Sequence, residues 1–212
     1  QCVGQPSSQH MDAFKRIRSY LRGTRDLGII FDGKRANDSN HSMQQFGLTA
    51  LVDASFADRE DKQSTIGYVT HWCGGPLHWK TKKSGTVALS TTEAEYIGES
   101  FCAREIVYAR QLLDSFGITQ TVPALVYGDN EAALKLASIP GISELSKHIQ
   151  IKYHFVRECQ ENRALELHHV GTLNNVADIL TKGTTMKDKF ARLRMLVGMT
   201  TPSQMLRFTR DR

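Results

Sequence analysis

The sequence lacks the features of membrane proteins and of disulfide-stapled secreted domains. No apolar run approaches the ~18 residues that a membrane-spanning helix needs, and the first residues do not have the pattern of a signal peptide. The four cysteines, Cys2, Cys73, Cys102 and Cys159, are scattered and form no CxxC pair. This usage is typical of free thiols in a reducing compartment, and it argues against a disulfide framework or a zinc knuckle.

Charge is unevenly distributed, although the formal net charge is only +5. Residues 1–36 hold seven Lys/Arg and three Asp/Glu, and residues 183–212 hold seven and two. Residues 37–182 hold thirteen Lys/Arg and seventeen Asp/Glu, so the centre of the chain is acidic. The basic ends are suited to binding phosphates. The acidic centre is either a solvated surface or a set of carboxylates gathered for metal, and composition does not separate the two.

Periodicity predicts a short N-terminal segment followed by one α/β domain. Residues 9–23 have the pattern of a basic amphipathic helix, residues 27–31 that of a short strand, and the polar stretch 32–45 that of a linker. The later pattern predicts strands at 47–55, 64–72, 76–80, 123–129 and 164–170, with helices at 91–116, 130–137, 147–160 and 174–182. A three-stranded meander followed by alternating helices and strands indicates an α/β domain with a mixed sheet.

Four carboxylates are notable for their positions. Asp53 and Asp129 each close an apolar strand, and ligands usually bind beyond the strand ends of an open α/β sheet. Glu93 lies four residues before Ile97 at the start of the long helix, so we expect it to lean toward the sheet. Asp178 lies near the start of the last helix. The core stripe predicted for the long helix comprises Ala94, Ile97, Phe101, Tyr108 and Leu112. If the two strands are neighbours, the four carboxylates converge at one edge.

Such a cluster cannot persist as bare anions, because like charges a few ångströms apart must either protonate or bind a cation. Ligation by oxygen alone suits Mg²⁺ or Mn²⁺. Two such ions activate a water for in-line attack and stabilise the leaving oxygen, which is a standard route to phosphodiester cleavage.

Each carboxylate also has a structural alternative, although a weak one for Asp53. Ser90 and Glu93 have the spacing of a capping box. Asp178 is favoured near a helix start by the helix dipole, and Asp129 is suited to capping the helix that follows it. Asp53 gains little structurally by closing its strand. The metal-binding interpretation rests on all four residues being correctly ordered along the chain.

Five separated blocks closely resemble the ribonuclease H domain of copia-type retrotransposon polyproteins. They are VDASFADREDKQSTIGYVTHW, PLHWKTKKSGTVALSTTEAEYIGES, VYGDNEAALKLA, SKHIQIKYHFVRE and VGTLNNVADILTKG. The leading segment FKRIRSYLRGTRDLGIIF resembles the end of the reverse transcriptase that precedes this domain. The resemblance therefore implies a reverse transcriptase remnant and linker at 1–45, the ribonuclease H domain at 46–183, and a basic tail or helix at 184–212.

The resemblance implies an α/β ribonuclease H-like fold, with a five-stranded mixed sheet flanked by helices. It also implies hydrolysis of the RNA strand of RNA–DNA hybrids by two Mg²⁺ or Mn²⁺ ions during retrotransposon reverse transcription. The family's catalytic, metal-binding acids fall on Asp53, Glu93, Asp129 and Asp178. Glu95 is the rival to Glu93, but a helix turns by about 200° over two residues, so we expect Glu95 to face elsewhere.

The partners implied are the RNA–DNA hybrid and the reverse transcriptase portion of the same polyprotein, with no membrane and no small-molecule substrate. The implied location is intracellular: cytoplasmic, in virus-like particles, or nuclear. Contacts with the nucleic acid are predicted for Lys80, Lys82, Lys83, Ser84, Thr91, Thr92, Asn130, Lys147 and His148.

Three other interpretations compete with the nuclease. A degenerate or co-opted copy would be a catalytically inactive module that binds nucleic acid. A polymerase needs a YxDD pair, whereas YGDN at 127–130 has one aspartate and precedes a helix. A zinc-dependent hydrolase needs clustered ligands such as HxxxH, which this sequence lacks.

Overall fold

A computed structural model describes residues 7–31, 47–58, 61–136, 147–183 and 187–201. The chain divides into two compact units, one formed by residues 1–29 and 199–212 and the other by residues 30–198. The predicted linker lies outside the described residues, and the predicted domain boundaries stay a prediction. No helix within the described ranges is long and apolar enough to cross a membrane.

In its described residues, the smaller unit contains one helix and a short pair of strands. Helix α1 (Ser8–Gly23) is the predicted amphipathic helix, and strands β1 (Gly28–Ile29) and β7 (Met199–Thr200) pair antiparallel. The apolar side chains Met11, Phe14, Ile17 and Leu21 of α1 are all more than half exposed.

The larger unit contains a five-stranded mixed sheet. Strands β2 (Thr49–Ser55), β3 (Thr65–Trp72) and β4 (Gly75–Lys83) form an antiparallel meander, and β5 (Ala124–Gly128) and β6 (Leu165–His169) run parallel to β2. The strand order is β4-β3-β2-β5-β6. The other helices are α2 (Thr91–Ser115), α3 (Glu131–Leu136), α4 (Lys147–Glu161), α5 (Asp178–Thr181) and α6 (Lys187–Leu196). The predicted five-stranded mixed sheet flanked by helices is confirmed.

Helices α2 and α5 cover opposite faces of this sheet. A Cβ placed on Gly67 of β3 would lie 2.6 Å from the Cβ of Leu180 and 2.9 Å from Thr181 Cγ2, so α5 packs directly on this glycine. The preceding residue, Ile66, points toward α2, where a Cβ on Gly98 would lie 3.6 Å from its Cγ2. Successive strand residues point to opposite faces, which puts the two helices on opposite sides.

The buried side of α2 agrees with the predicted stripe in part: Ala94 and Ile97 are fully buried and Phe101 packs against the core, but the last two residues do not. Tyr108 and Leu112, which we expected in the core, are 62% and 41% exposed. The sheet-facing stripe is buried along its whole length and comprises Glu95, Glu99, Cys102, Ile106, Ala109 and Leu113. The prediction failed for Tyr108 and Leu112, because the buried stripe includes the carboxyl groups of Glu95 and Glu99, which hydrophobic periodicity does not count as core.

We predict that Gly67→Ala destabilises the fold by about 1–3 kcal/mol, because the added methyl group forces α5 away from β3. Urea unfolding measures this loss. Gly171→Ala is the matched control, since a Cβ at Gly171 meets no atom within 4 Å. Equal stability of the two variants would contradict the close approach of α5.

Candidate metal centre

Three aspartates converge at one edge of the sheet. Asp53 lies near the end of β2, Asp129 follows β5 directly, and Asp178 opens α5. Strands β2 and β5 are parallel neighbours, so their carboxyl ends lie side by side. One carboxylate oxygen from each aspartate lies within 4.8 Å of the others. Asp53 and Asp178 are buried, and Asp129 is half-buried.

Asn175 fixes the segment that carries Asp178. Its fully buried Nδ2 donates a hydrogen bond of 2.8 Å to the backbone oxygen of Val52, the residue before Asp53. Its Oδ1 accepts one of 3.2 Å from the N–H of Ala177, the residue before Asp178. The amide of Asn175 therefore connects the backbones beside two of the clustered carboxylates. Sequence reasoning missed this residue, because a buried amide in a loop has no periodic signal.

Two lysines supply positive charge to the cluster. Lys182 Nζ is 3.3 Å from Asp53 Oδ1 and also pairs with Asp178, which pairs with Lys189 as well. Burial raises the pKa of the Asp53 carboxyl, although a hydrogen bond from Thr181 and the charge of Lys182 act against it. Burial also acts to raise the pKa of Asp178, but the two lysines outweigh it and hold that pKa below its ordinary value.

The structure places Glu95, and not Glu93, beside the aspartates. Glu95 is 7% exposed, and burial together with the charges of Asp53 and Asp129 raises its pKa to about 9. The carboxylate of Glu93 instead accepts a hydrogen bond of 2.6 Å from the N–H of Leu89. The expectation that Glu93 leans toward the sheet and Glu95 faces elsewhere is therefore wrong.

The backbone N–H of Glu93 also donates to Ser90 Oγ at 3.1 Å, which is one half of the capping box that we considered as its structural alternative. The other half differs, because the Glu93 carboxylate accepts from Leu89 and not from Ser90. The roughly 200° turn between positions 93 and 95 was correct, but it was applied to the wrong face of α2.

Asp129 does not have the capping role that we considered for it. Asn130 Oδ1 accepts a hydrogen bond of 3.0 Å from the N–H of Ala133, so Asn130 caps α3. The carboxylate of Asp129 instead takes part in the cluster.

The other predicted nucleic-acid contacts are dispersed. Lys83 pairs with Asp61 at 2.7 Å, and Ser84 is buried with its hydroxyl bonded to the oxygen of Thr86. Lys80 is exposed on β4, and Lys82 lies over an aromatic ring. The remaining positions are Thr91 and Thr92, which open α2, and Lys147 and His148, whose side chains lie outside the described residues.

The donor set fits a hard divalent cation. The candidate ligand atoms are carboxylate oxygens, and no nitrogen or sulfur ligand joins the group found among the described residues. Mg²⁺ and Mn²⁺ prefer such oxygens and retain several waters. Repulsion from the aspartates contributes to the raised pKa of Glu95, and a bound cation would relieve that repulsion.

The chain matches transposon polyproteins over most of its length. It is 35% identical to the Retrovirus-related Pol polyprotein from transposon RE1 of Arabidopsis thaliana, covering 94% of this chain and 13% of that protein. It is 33% identical to the Retrovirus-related Pol polyprotein from transposon TNT 1-94 of Nicotiana tabacum, covering 92% and 14%. No protein-family model matches the chain.

A solved structure, the N-terminal RNase H domain of rv2228c from Mycobacterium tuberculosis fused to maltose binding protein, aligns with a TM-score of 0.47. It is 15% identical, and the alignment covers 71% of this chain and 97% of that one.

The strand order and the flanking helices define the chain as an α/β protein with a five-stranded mixed sheet, the architecture expected from the ribonuclease H resemblance. The chain is homologous, over most of its length, to copia-type Pol polyproteins of transposons. It spans about one seventh of the length of the relatives that it matches.

Glu99 is a second buried carboxyl group on the sheet-facing stripe of α2. It lies one helical turn after Glu95 and is 2% exposed. No group in the described part of the chain forms a hydrogen bond with its Oε2 atom. Burial raises the pKa of Glu99 to about 8, so the neutral acid predominates in the folded protein at neutral pH.

We predict that Glu99→Gln stabilises the fold at pH 8 by about 2–4 kcal/mol and leaves it nearly unchanged at pH 4.5. The raised pKa means that the folded state keeps a proton that the unfolded state releases, so stability falls as pH rises from about 4.5 to about 8. The amide cannot ionise and removes this loss. Urea unfolding at both pH values measures the difference, and a gain that is independent of pH would contradict the interpretation.

Proposed function

We propose that this chain is the ribonuclease H portion of a Pol polyprotein and cleaves the RNA strand of RNA–DNA hybrids. The observation that carries the proposal is the group of three aspartate oxygens within 4.8 Å of one another at the carboxyl ends of β2 and β5. Relatives that are Pol polyproteins of transposons support a role in reverse transcription. The proposed partners are the hybrid and the reverse transcriptase portion of the same polyprotein.

The proposed ligands of two Mg²⁺ or Mn²⁺ ions are Asp53, Glu95, Asp129 and Asp178. Glu95 replaces Glu93 in this set, because its carboxylate is buried beside the aspartates whereas that of Glu93 is bonded to the α2 N-terminus. When bound, the ions supply an activated water and a stabilised leaving oxygen. The chain holds its ligands in place before the metal arrives, through Asn175 and the close packing of α5.

A second candidate is a metal-free module that binds nucleic acid without cleaving it. The observation that favours it is the pairing of Lys182 with Asp53 and Asp178, which neutralises part of the cluster without any metal. In the nuclease, the same lysine would have to yield to an incoming cation or stay beside it. Measuring cleavage therefore separates the two candidates.

We predict that Glu95→Gln lowers cleavage of a labelled hybrid in Mg²⁺ by about 100-fold or more, equivalent to ~2.7 kcal/mol of barrier, while hybrid binding persists. Asp53→Asn should do the same, because each variant removes one anionic ligand. Glu93→Gln is the matched control on the same helix turn and should retain cleavage within about threefold, since its carboxylate is a cap.

Calorimetric titration with Mn²⁺ gives a second readout, with weaker binding by the Glu95 and Asp53 variants only. Loss of cleavage in the Glu93 variant with full activity in the Glu95 variant would reverse the assignment. Absence of cleavage by the unaltered chain, with intact hybrid binding, would favour the metal-free module.

A further inference from the structure

Two basic side chains lie against Phe101, a partly buried residue of α2 that packs against the core. Lys82 of β4 places its Nζ 3.6 Å from the centroid of the Phe101 ring, and Arg104 of α2 has its Cζ 5.0 Å from the same centroid. Lys152 of α4 precedes Tyr153, whose ring centroid lies 6.0 Å from that of Tyr96 on α2, and the positive charges of Lys152 and Arg104 repel each other. We call Lys82, Arg104 and Lys152 the Phe101 cluster. Only Lys82 was predicted from the sequence, because 82, 104 and 152 are far apart along the chain.

Assembling these like charges costs free energy. Burial, together with the charges of Arg104 and Lys80, lowers the pKa of Lys82. Burial also lowers the pKa of Lys152, and Arg104 acts in the same direction. A fold that keeps such a group together without a ligand loses stability, and a bound anion would recover it.

Two carboxylates lie near the cluster, and both have other partners. Glu105 accepts a hydrogen bond of 2.9 Å from the hydroxyl of Tyr68 and lies 3.6 Å from His78 Nδ1. Glu93 accepts its hydrogen bond from Leu89. Among the described residues that act on the pKa values of Lys82 and Lys152, the cations are Lys80 and Arg104 and the carboxylates are Glu93 and Glu105. With Lys82 and Lys152 themselves, this described group has four cations and two carboxylates and therefore a net positive charge.

Lys82 of the Phe101 cluster lies at the same end of the sheet strands as the candidate metal centre. Lys82 is paired with Ile66, and Ile66 is paired with Ala54, the residue after Asp53. Two strand spacings of ~4.8 Å separate Lys82 from Ala54, which is about 10 Å. One nucleic-acid strand has a phosphate for every ~3.4 Å of helix axis, so a strand at the metal centre reaches the cluster within about three nucleotides.

We propose that Lys82, Arg104 and Lys152 bind backbone phosphates of the RNA–DNA hybrid. The identity of the nucleic acid rests on the proposed function. The guanidinium of Arg104 can donate two parallel hydrogen bonds to one phosphate, and the ammonium groups of Lys82 and Lys152 attract it as point charges. Such contacts position a duplex without reading its sequence. The Phe101 ring face that carries Lys82 is not available to a base, so the ring orients the cations.

The experiment measures binding of a labelled hybrid of 20 base pairs to the full 212-residue chain in EDTA, where metal-dependent cleavage cannot interfere. The double variant Lys82→Gln/Arg104→Gln should bind about tenfold more weakly at 0.1 M salt. The slope of log K against log salt concentration should become shallower by about one for each phosphate that the variant no longer binds. Lys152→Gln alone should have a smaller effect in the same direction.

The matched control is Arg163→Gln. Arg163 is exposed and precedes β6, so it lies at the amino ends of the parallel strands, whereas the candidate metal centre lies at their carboxyl ends. Its loss should therefore leave the affinity and the slope unchanged. Thermal melting checks that each variant folds. If the double variant does not fold, binding by Lys152→Gln and by Arg104→Lys tests the proposal instead. Arg104→Lys keeps the positive charge but loses the two parallel N–H donors of the guanidinium. The proposal would be overturned if every folded variant of the Phe101 cluster bound the hybrid as tightly as the Arg163→Gln control does.

Neutral methylphosphonates placed singly in the DNA strand or in the RNA strand identify which backbone supplies the phosphate. When the methylphosphonate occupies the position that the Phe101 cluster binds, the unaltered chain should bind the hybrid no more tightly than the double variant does. No such position in either strand would also overturn the proposal. Cleavage in Mg²⁺ is measured in parallel. Weaker binding by the variants without any cleavage would refute the nuclease and keep the phosphate site, whereas cleavage with unchanged binding would refute the site alone.

Discussion

Repulsion between carboxylates is the constraint on which the rest of this structure depends. One carboxylate oxygen from each of three aspartates lies within 4.8 Å of the others. The charges of two of them, Asp53 and Asp129, also raise the pKa of the buried Glu95. Isolated in a protein interior, such groups would protonate or separate. The fold holds them through adjacent parallel strands, and Lys182 and Lys189 offset part of their charge.

The approach of α5 to the sheet depends on small details elsewhere. Gly67 leaves room for the helix, and Asn175 connects its leading loop to the end of β2. Neither residue is charged, and neither is among the proposed metal ligands. They decide the geometry of Asp178, because a displacement of α5 would move that carboxylate away from Asp53.

Helix α2 carries residues of both proposed sites. The sheet-facing stripe buries Glu95 near two aspartates of the candidate metal centre and Glu99 as a neutral acid one turn later. Another side of the helix carries Arg104 and Phe101, and Lys82 of β4 lies over the Phe101 ring. One rigid helix therefore connects the candidate metal centre with the surface that we infer to bind phosphate.

The sequence by itself determined the order of the five sheet strands and of the helices between them, the resemblance to copia-type polyproteins, and the three aspartates, because strand ends and hydrophobic alternation are local signals. It did not determine α6 and β7. Tertiary structure alone decided which side of α2 faces the sheet, since the sheet-facing stripe contains Glu95 and Glu99 and has a polar pattern. It also decided the contacts of Lys182 with Asp53, of Lys82 with Phe101 and of Asn175 with Val52, because these partners are distant along the chain and meet only when the sheet and its helices assemble. Local patterns report periodicity, whereas the pairing of charges depends on which elements pack together.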